Sequence, residues 1–145
     1  MQRRYTPAIL LLLMGVAGCS SGPPPLSLPN GALPGGTAEV TVNGNTSGRI
    51  RDVTCESVGR GLTLINIGDP DKRVTALLDS NGRNAAEVAF HDFGGFTGSY
   101  WQNLEGDVRL GIVDQTYTLT GTAAGFESEH PHTRIMDAFT VEVAC

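Results

Sequence analysis

Apolar and polar residues alternate with a period of two along most of the chain beyond residue 38, the signature of half-buried β-strands. Val40 and Val42 alternate with Glu39, Thr41 and Asn43, and Asn43-Gly44 then signals a tight turn. Val108, Leu110 and Ile112 alternate with Asp107, Arg109 and Gly111. After a short turn at Val113-Asp114-Gln115, Tyr117 and Leu119 alternate with a row of threonines, so these two runs predict a hairpin. Val74 to Leu78 and Glu87 to Phe90 flank Ser80-Asn81-Gly82 and predict another. Leu62 to Ile67 is apolar on both faces apart from Thr63 and Asn66, as a strand with neighbours on both sides would be. Lys72 to Asp79 is open to a helical reading, but the run is short and Val74 and Thr75 are β-branched, which favours a strand. The fold expected is all-β, an antiparallel β-sandwich or curled sheet with short glycine-rich connections.

The first 38 residues break this pattern. Residues 1–18 have the layout of a secretory signal, with Arg3 and Arg4 ahead of the apolar run Ala8 to Met14 and small residues at Gly15, Ala17 and Gly18. The apolar stretch from Pro7 to Gly18 falls short of the ~20 residues that a spanning helix needs. Val16-Ala17-Gly18-Cys19 reads as a bacterial lipobox, which makes Cys19 the expected lipidation site and its acyl chains the expected hold on a membrane. Two or three acyl chains anchor stably where one is marginal. Residues 19–38 then read as lipidated cysteine and flexible tether, because Pro23, Pro24, Pro25, Pro29 and Pro34 remove backbone donors and the intervening glycines loosen the rest. Residues 39–145 are left as one antiparallel β domain with a single core.

Export changes what the remaining cysteines do. Phe139, Val141, Val143 and Cys145 fall on one face of the last alternating run, and Val53 and Cys55 share a face of an earlier one, so both thiols are expected on apolar faces. With Cys19 consumed by lipid, a Cys55–Cys145 disulfide is expected in an oxidising compartment. Charge alters the picture less. Loss of Arg3 and Arg4 with the signal leaves 8 basic against 15 acidic residues, the basic ones scattered, which argues against nucleic acid as a partner.

Candidate chemistry is sparse. Each cysteine already has a use, and no His-Glu-x-x-His, Gly-x-Ser-x-Gly or P-loop pattern occurs. His130-Pro131-His132 with Glu127 and Glu129 resembles a metal-ligand set in composition, but the proline and loop setting favour a solvated surface loop; no metal and no cofactor is expected. Asp69-Pro70-Asp71 reads as an Asx turn. Phe90, Phe93, Phe96, Tyr100 and Trp101 crowd into twelve residues. They are expected to plug one end of the core; the sharper alternative is an apolar groove for a lipidic ligand lined by Phe93, Phe96 and Trp101, or an exposed patch for a protein partner.

The lipobox ending at Cys19, Val-Thr-Val-Asn-Gly at 40–44, Val-Thr-Cys at 53–55, Tyr-Thr-Leu-Thr-Gly-Thr-Ala at 117–123 and the terminal Phe-Thr-Val-Glu-Val-Ala-Cys at 139–145 occur in order. On these motifs the chain resembles the mycobacterial lipoprotein antigen family, that of the nineteen-kilodalton antigen. The resemblance implies a cell-envelope lipoprotein and surface antigen whose acylated end is sensed by host Toll-like receptors. It carries over no catalytic residue. The tether departs from the family in being proline-rich where the antigen's is threonine-rich, so tether O-glycosylation does not carry over. Together these features predict a non-enzymatic, lipid-anchored binding or interaction module on the outer face of the cell membrane, with a carrier of a small apolar or lipidic ligand as the alternative.

Overall fold

The computed structural model describes residues 27–79, 81 and 83–145; the expected signal, Cys19 and the first part of the tether lie outside the described residues. Ten strands follow one another: β1 (Thr37–Val42), β2 (Asn45–Ile50), β3 (Val53–Gly59), β4 (Leu62–Gly68), β5 (Arg73–Asp79), β6 (Ala85–Phe93), β7 (Phe96–Trp101), β8 (Asp107–Val113), β9 (Thr116–Glu127) and β10 (Ile135–Ala144). All pairings are antiparallel, in the order β2-β1-β10-β9-β7-β6-β5-β4-β3, with β8 also on β9.

The architecture is simpler than ten strands. β7 pairs with the last residues of β9 and β8 with its first, on the same edge, so β7 and β8 share one lane. A Cβ at Gly121 or Gly125 of β9 would collide with the carbonyl oxygen of Asp107 or Thr97, so glycine is what lets this lane pack closely. Likewise β2 and β3, the outer members of the path, are separated only by Arg51-Asp52, and alternation along the path points them in the same direction. They are two halves of one bent strand that leaves β1 and joins β4, the second pairing continued by the Gly68 amide donating to the Asp52 carbonyl at 2.8 Å. The result is an eight-lane meander curled into a nearly closed barrel, as expected of the curled-sheet fold.

Alternation directs the core inward. Val40, Val141, Val143, Ile65, Ile67, Val74, Ala76, Val88 and Leu119 are inaccessible to solvent. The ring of Phe90 packs on Phe96 and Phe139 at centroid distances of 5.7 and 5.0 Å, inside the barrel. The β1–β2 turn is the Asn43-Gly44 turn expected, with both residues at positive φ (47° and 77°). The 74–78 and 87–90 runs pair as β5 and β6, residue 74 opposite 90, and the segment from Arg73 is strand, not helix. Asp69 caps its turn by accepting from the amides of Asp71 and Lys72, both at 2.9 Å.

Three details differ from the sequence expectation. β1 starts at Thr37, two residues ahead of the expected domain boundary, because Thr37 pairs with Ala144. Ile112 is about half exposed (49%) although it alternates with Val108 and Leu110, since it lies at the tip of β8, which pairs with β9 alone. Cys145 lies just past the end of β10 and is exposed, so it does not continue the inner row of Phe139, Val141 and Val143. The disulfide is made nonetheless, joining Cys145 to Cys55 with a Cα–Cα distance of 6.0 Å.

Candidate functional site

The meander gives the barrel two ends of different character. One end, the base, carries the β3–β4, β5–β6 and β8–β9 turns, the start of β1 and the end of β10. Here the incoming chain is held to the sheet: the Leu33 amide donates to Thr116 Oγ1 at 2.8 Å, and the Gly36 amide to the Ala144 carbonyl at 2.8 Å. Thr37 Oγ1 donates to the Pro34 carbonyl at 2.7 Å. Thr116, at 0% exposure, is a buried polar residue whose oxygen is satisfied by this contact. The disulfide binds the end of β10 to the bent strand beside the point where β1 begins, which closes the seam.

The other end, the mouth, is bordered by the β1–β2 turn, the β6–β7 turn at Gly94-Gly95 and the β9–β10 connection. Between them is a recess of about 210 Å³ with Val42 and Phe96 at its apolar floor and Glu127, Glu129 and Asp137 among its walls. The rim is cross-braced. The Ser128 amide donates to the Gly95 carbonyl at 2.7 Å, Ser128 Oγ donates to Asp92 Oδ1 at 2.6 Å, and the Asp92 amide donates to Thr97 Oγ1 at 2.9 Å. Arg134 pairs with Glu105 farther along the same connection.

Asp137 is the unusual member. It occupies an inward register position of β10, in line with Ile135 and Phe139, and is only 8% exposed. Among the described residues no buried side-chain oxygen or nitrogen lacks a hydrogen-bond partner, so the Asp137 carboxylate, which takes no side-chain hydrogen bond, keeps its oxygens in reach of solvent at the recess. Burial pushes its pKa above the ordinary carboxylate value, and the nearby charge of Glu127 adds to the rise. Glu127 sits opposite Phe96 at the end of β9, its Oε2 3.7 Å from the exposed His130 Nδ1. Among the described residues, no three His, Cys, Asp or Glu side chains converge as metal ligands. Sequence reasoning passed over Asp137, yet the signal was there: an acid in the apolar register of Ile135, Phe139, Val141 and Val143.

The aromatic residues expected to line a groove are not brought together. Phe96 is buried in the core (2% exposed), Phe93 packs half-buried against the core's edge, and Trp101 is 47% exposed on the opposite face of β7. Alternation explains the split: Phe96, Gly98 and Tyr100 point inward while Thr97, Ser99 and Trp101 point outward, the indole donating to Ser99 Oγ at 3.1 Å. Phe90, Phe96 and Tyr100 plug the interior, as the plainest of the three expectations has it for all five aromatics, but Phe93 and Trp101 do not join them.

Comparison with known proteins agrees with this architecture's sequence motifs. The family described as Mycobacterium 19 kDa lipoprotein antigen matches residues 31–145. A protein of Mycobacterium indicus pranii assigned as a lipoprotein is 27% identical over 147 residues, spanning both chains entirely. One of Mycobacterium avium subsp. hominissuis with the same assignment is 29% identical, across 100% of this chain and 97% of that one. The protein assigned as lipoprotein LppE of Mycobacterium tuberculosis is 30% identical over 115 residues, 78% of this chain and 81% of its own. The chain therefore belongs to the Mycobacterium 19 kDa lipoprotein antigen family, a family of membrane-anchored lipoproteins of the cell envelope.

Proposed function

We infer that the protein is a non-enzymatic binding or interaction module, held by acyl chains on Cys19 to the outer face of the membrane, with its barrel mouth turned away from the lipid. The observation that carries this is the placement of the incoming chain: Leu33 and Gly36 are fastened at the base, at the opposite end from the recess. A chain arriving from an acylated Cys19 reaches the barrel on its membrane side, and the mouth is what the surroundings meet. The same acylated N-terminus makes the protein an antigen that host Toll-like receptors read through lipid, independently of the barrel.

The test is the Cys19→Ser chain expressed in a mycobacterial host beside the parent, both fed an alkyne fatty acid. The parent should take up the label, partition into the membrane fraction and stimulate Toll-like receptor reporter cells. The variant should do none of these while keeping the barrel's β-sheet circular dichroism. Membrane partition of the processed variant equal to the parent's would overturn the anchoring.

A further inference from the structure

The β9–β10 connection divides its charges between two sides of the barrel wall. Glu127 and Glu129 line the mouth recess, whereas His132 and Arg134 line a second cavity, an open groove of about 370 Å³ on the outer face of β7 and β9. Among the described residues, the ionisable side chains lining this groove are basic alone. In a chain whose acids outnumber its bases that is a local reversal, and it selects for an anion.

The shape of the groove narrows the anion. Gly98 stands opposite Gly125 where β7 pairs with β9, and with Ala124 they leave a low backbone floor. Phe126 and Pro131 set rings beside that floor. A floor without projecting side chains takes a flat apolar body better than a bulky one, and an aromatic ring gains offset or edge contact with Phe126. The volume is at the small end for ligand sites, enough for one ring and its charged group. Arg134 supplies the charge. Among the described residues Glu105 Oε2 engages it through Nη2 alone, and the two side chains are 71% and 45% exposed. A pair so exposed holds weakly, and the planar guanidinium keeps an edge for a second carboxylate. We propose that the outer groove is a binding site for a small aromatic carboxylate, its ring on the Gly98–Gly125 floor beside Phe126 and its carboxylate on Arg134, with His132 as a further donor. The site rests on the reading of the protein as a binding module but not on its anchor or orientation, so its failure leaves those standing.

The test is titration of the full-length acylated protein, ¹⁵N-labelled and held in phosphatidylcholine nanodiscs at neutral pH and fixed ionic strength, with sodium benzoate. The amides of Gly98, Ala124, Gly125 and Phe126 should shift saturably while those of Gly44 and Gly61 stay still. Benzyl alcohol, with the ring but no charge, and acetate, with the charge but no ring, should not saturate. Arg134→Gln should weaken benzoate binding roughly fivefold, as loss of a charge-assisted pair does. Glu105→Gln, which releases Arg134, should tighten it. Matching affinity for acetate would reduce the groove to a contact for any anion and overturn the proposal, as would matching affinity for benzyl alcohol. Tighter binding of octanoate would overturn the choice of a flat ring. Equal losses in the two variants would make the Arg134–Glu105 pair a structural strap and count against the site. Should Arg134→Gln fail to fold, the acetate control and the sign of the Glu105→Gln effect decide.

Discussion

The base and the mouth of this barrel are built from the same alternating strands and differ in almost everything else. At the base, the incoming chain and the seam are tied down: Thr116 takes the Leu33 amide, Gly36 is bound to Ala144, and the seam is covalent through Cys55 and Cys145. At the mouth, backbone groups brace the rim while the Asp137 carboxylate faces the recess and solvent, next to another acid. One end is arranged for stability and the other carries an uncompensated charge. The difference teaches that in a barrel this small the groups that hold the incoming chain and the acidic groups of the rim are separated by the length of the strands.

That contrast can be broken at the base first. The disulfide spans 90 residues of sequence, and the chain-entropy account assigns such a cross-link roughly 4–5 kcal/mol, as an upper figure. Cys145→Ser paired with Cys55→Ser should therefore lower the thermal midpoint more than any single substitution at the mouth, as read by circular dichroism with and without reductant. An unchanged midpoint would mean that the seam is held by the sheet alone. Between the two ends, Phe139→Ala removes the ring that fills the interior beside Phe90 and should cost about 3–5 kcal/mol in chemical denaturation. Thr116→Val keeps the volume but strands the Leu33 amide, for an expected loss of about 1 kcal/mol. No loss would show that residues 27–36 contribute nothing to the folded domain.

The smallest expected effect has the opposite sign. Asp137→Asn removes a partly desolvated charge beside Glu127 and should leave the protein as stable or slightly more so at neutral pH. The sign follows from linkage. The folded-state pKa is raised by burial and by Glu127, so between the ordinary carboxylate value and that raised value the folded state binds more protons than the unfolded. Stability from this group is present at the acid side of that window and is lost as pH rises through the folded pKa. The parent should show that slope in its midpoint just above the ordinary carboxylate range, and Asp137→Asn should show less of it. Identical slopes would show that Asp137 does not set this pH dependence.

Much of the barrel is legible in the sequence where burial imposes alternation. Val40 and Val42 before Asn43-Gly44, and the paired runs 107–113 and 116–122, declare themselves because one face is buried and the other wet. The disulfide is legible from export and elimination, though not the position of Cys145 beyond the strand. β2 is illegible because Asn45–Ile50 is polar and mostly exposed, held by its pairing with β1 instead of by a core face. β7 is obscured by Gly98 and by outward Trp101, so five aromatics that read as one cluster in sequence divide between two faces. The mouth was hidden for a related reason. Asp137 is conspicuous only once the register of β10 is known, because one acid in a short apolar run looks like a solvent-facing position until its neighbours are counted off in twos.

The opposition of base and mouth is tested most directly by paramagnetic relaxation in the acylated protein held in nanodiscs with gadolinium-chelating lipid headgroups. The amides of Gly61 and Gln115, in turns at the base, should relax markedly faster than those of Gly44 and Gly95 at the mouth. Faster relaxation at Gly44 and Gly95, or equal enhancement at both ends, would contradict the orientation on which the account rests.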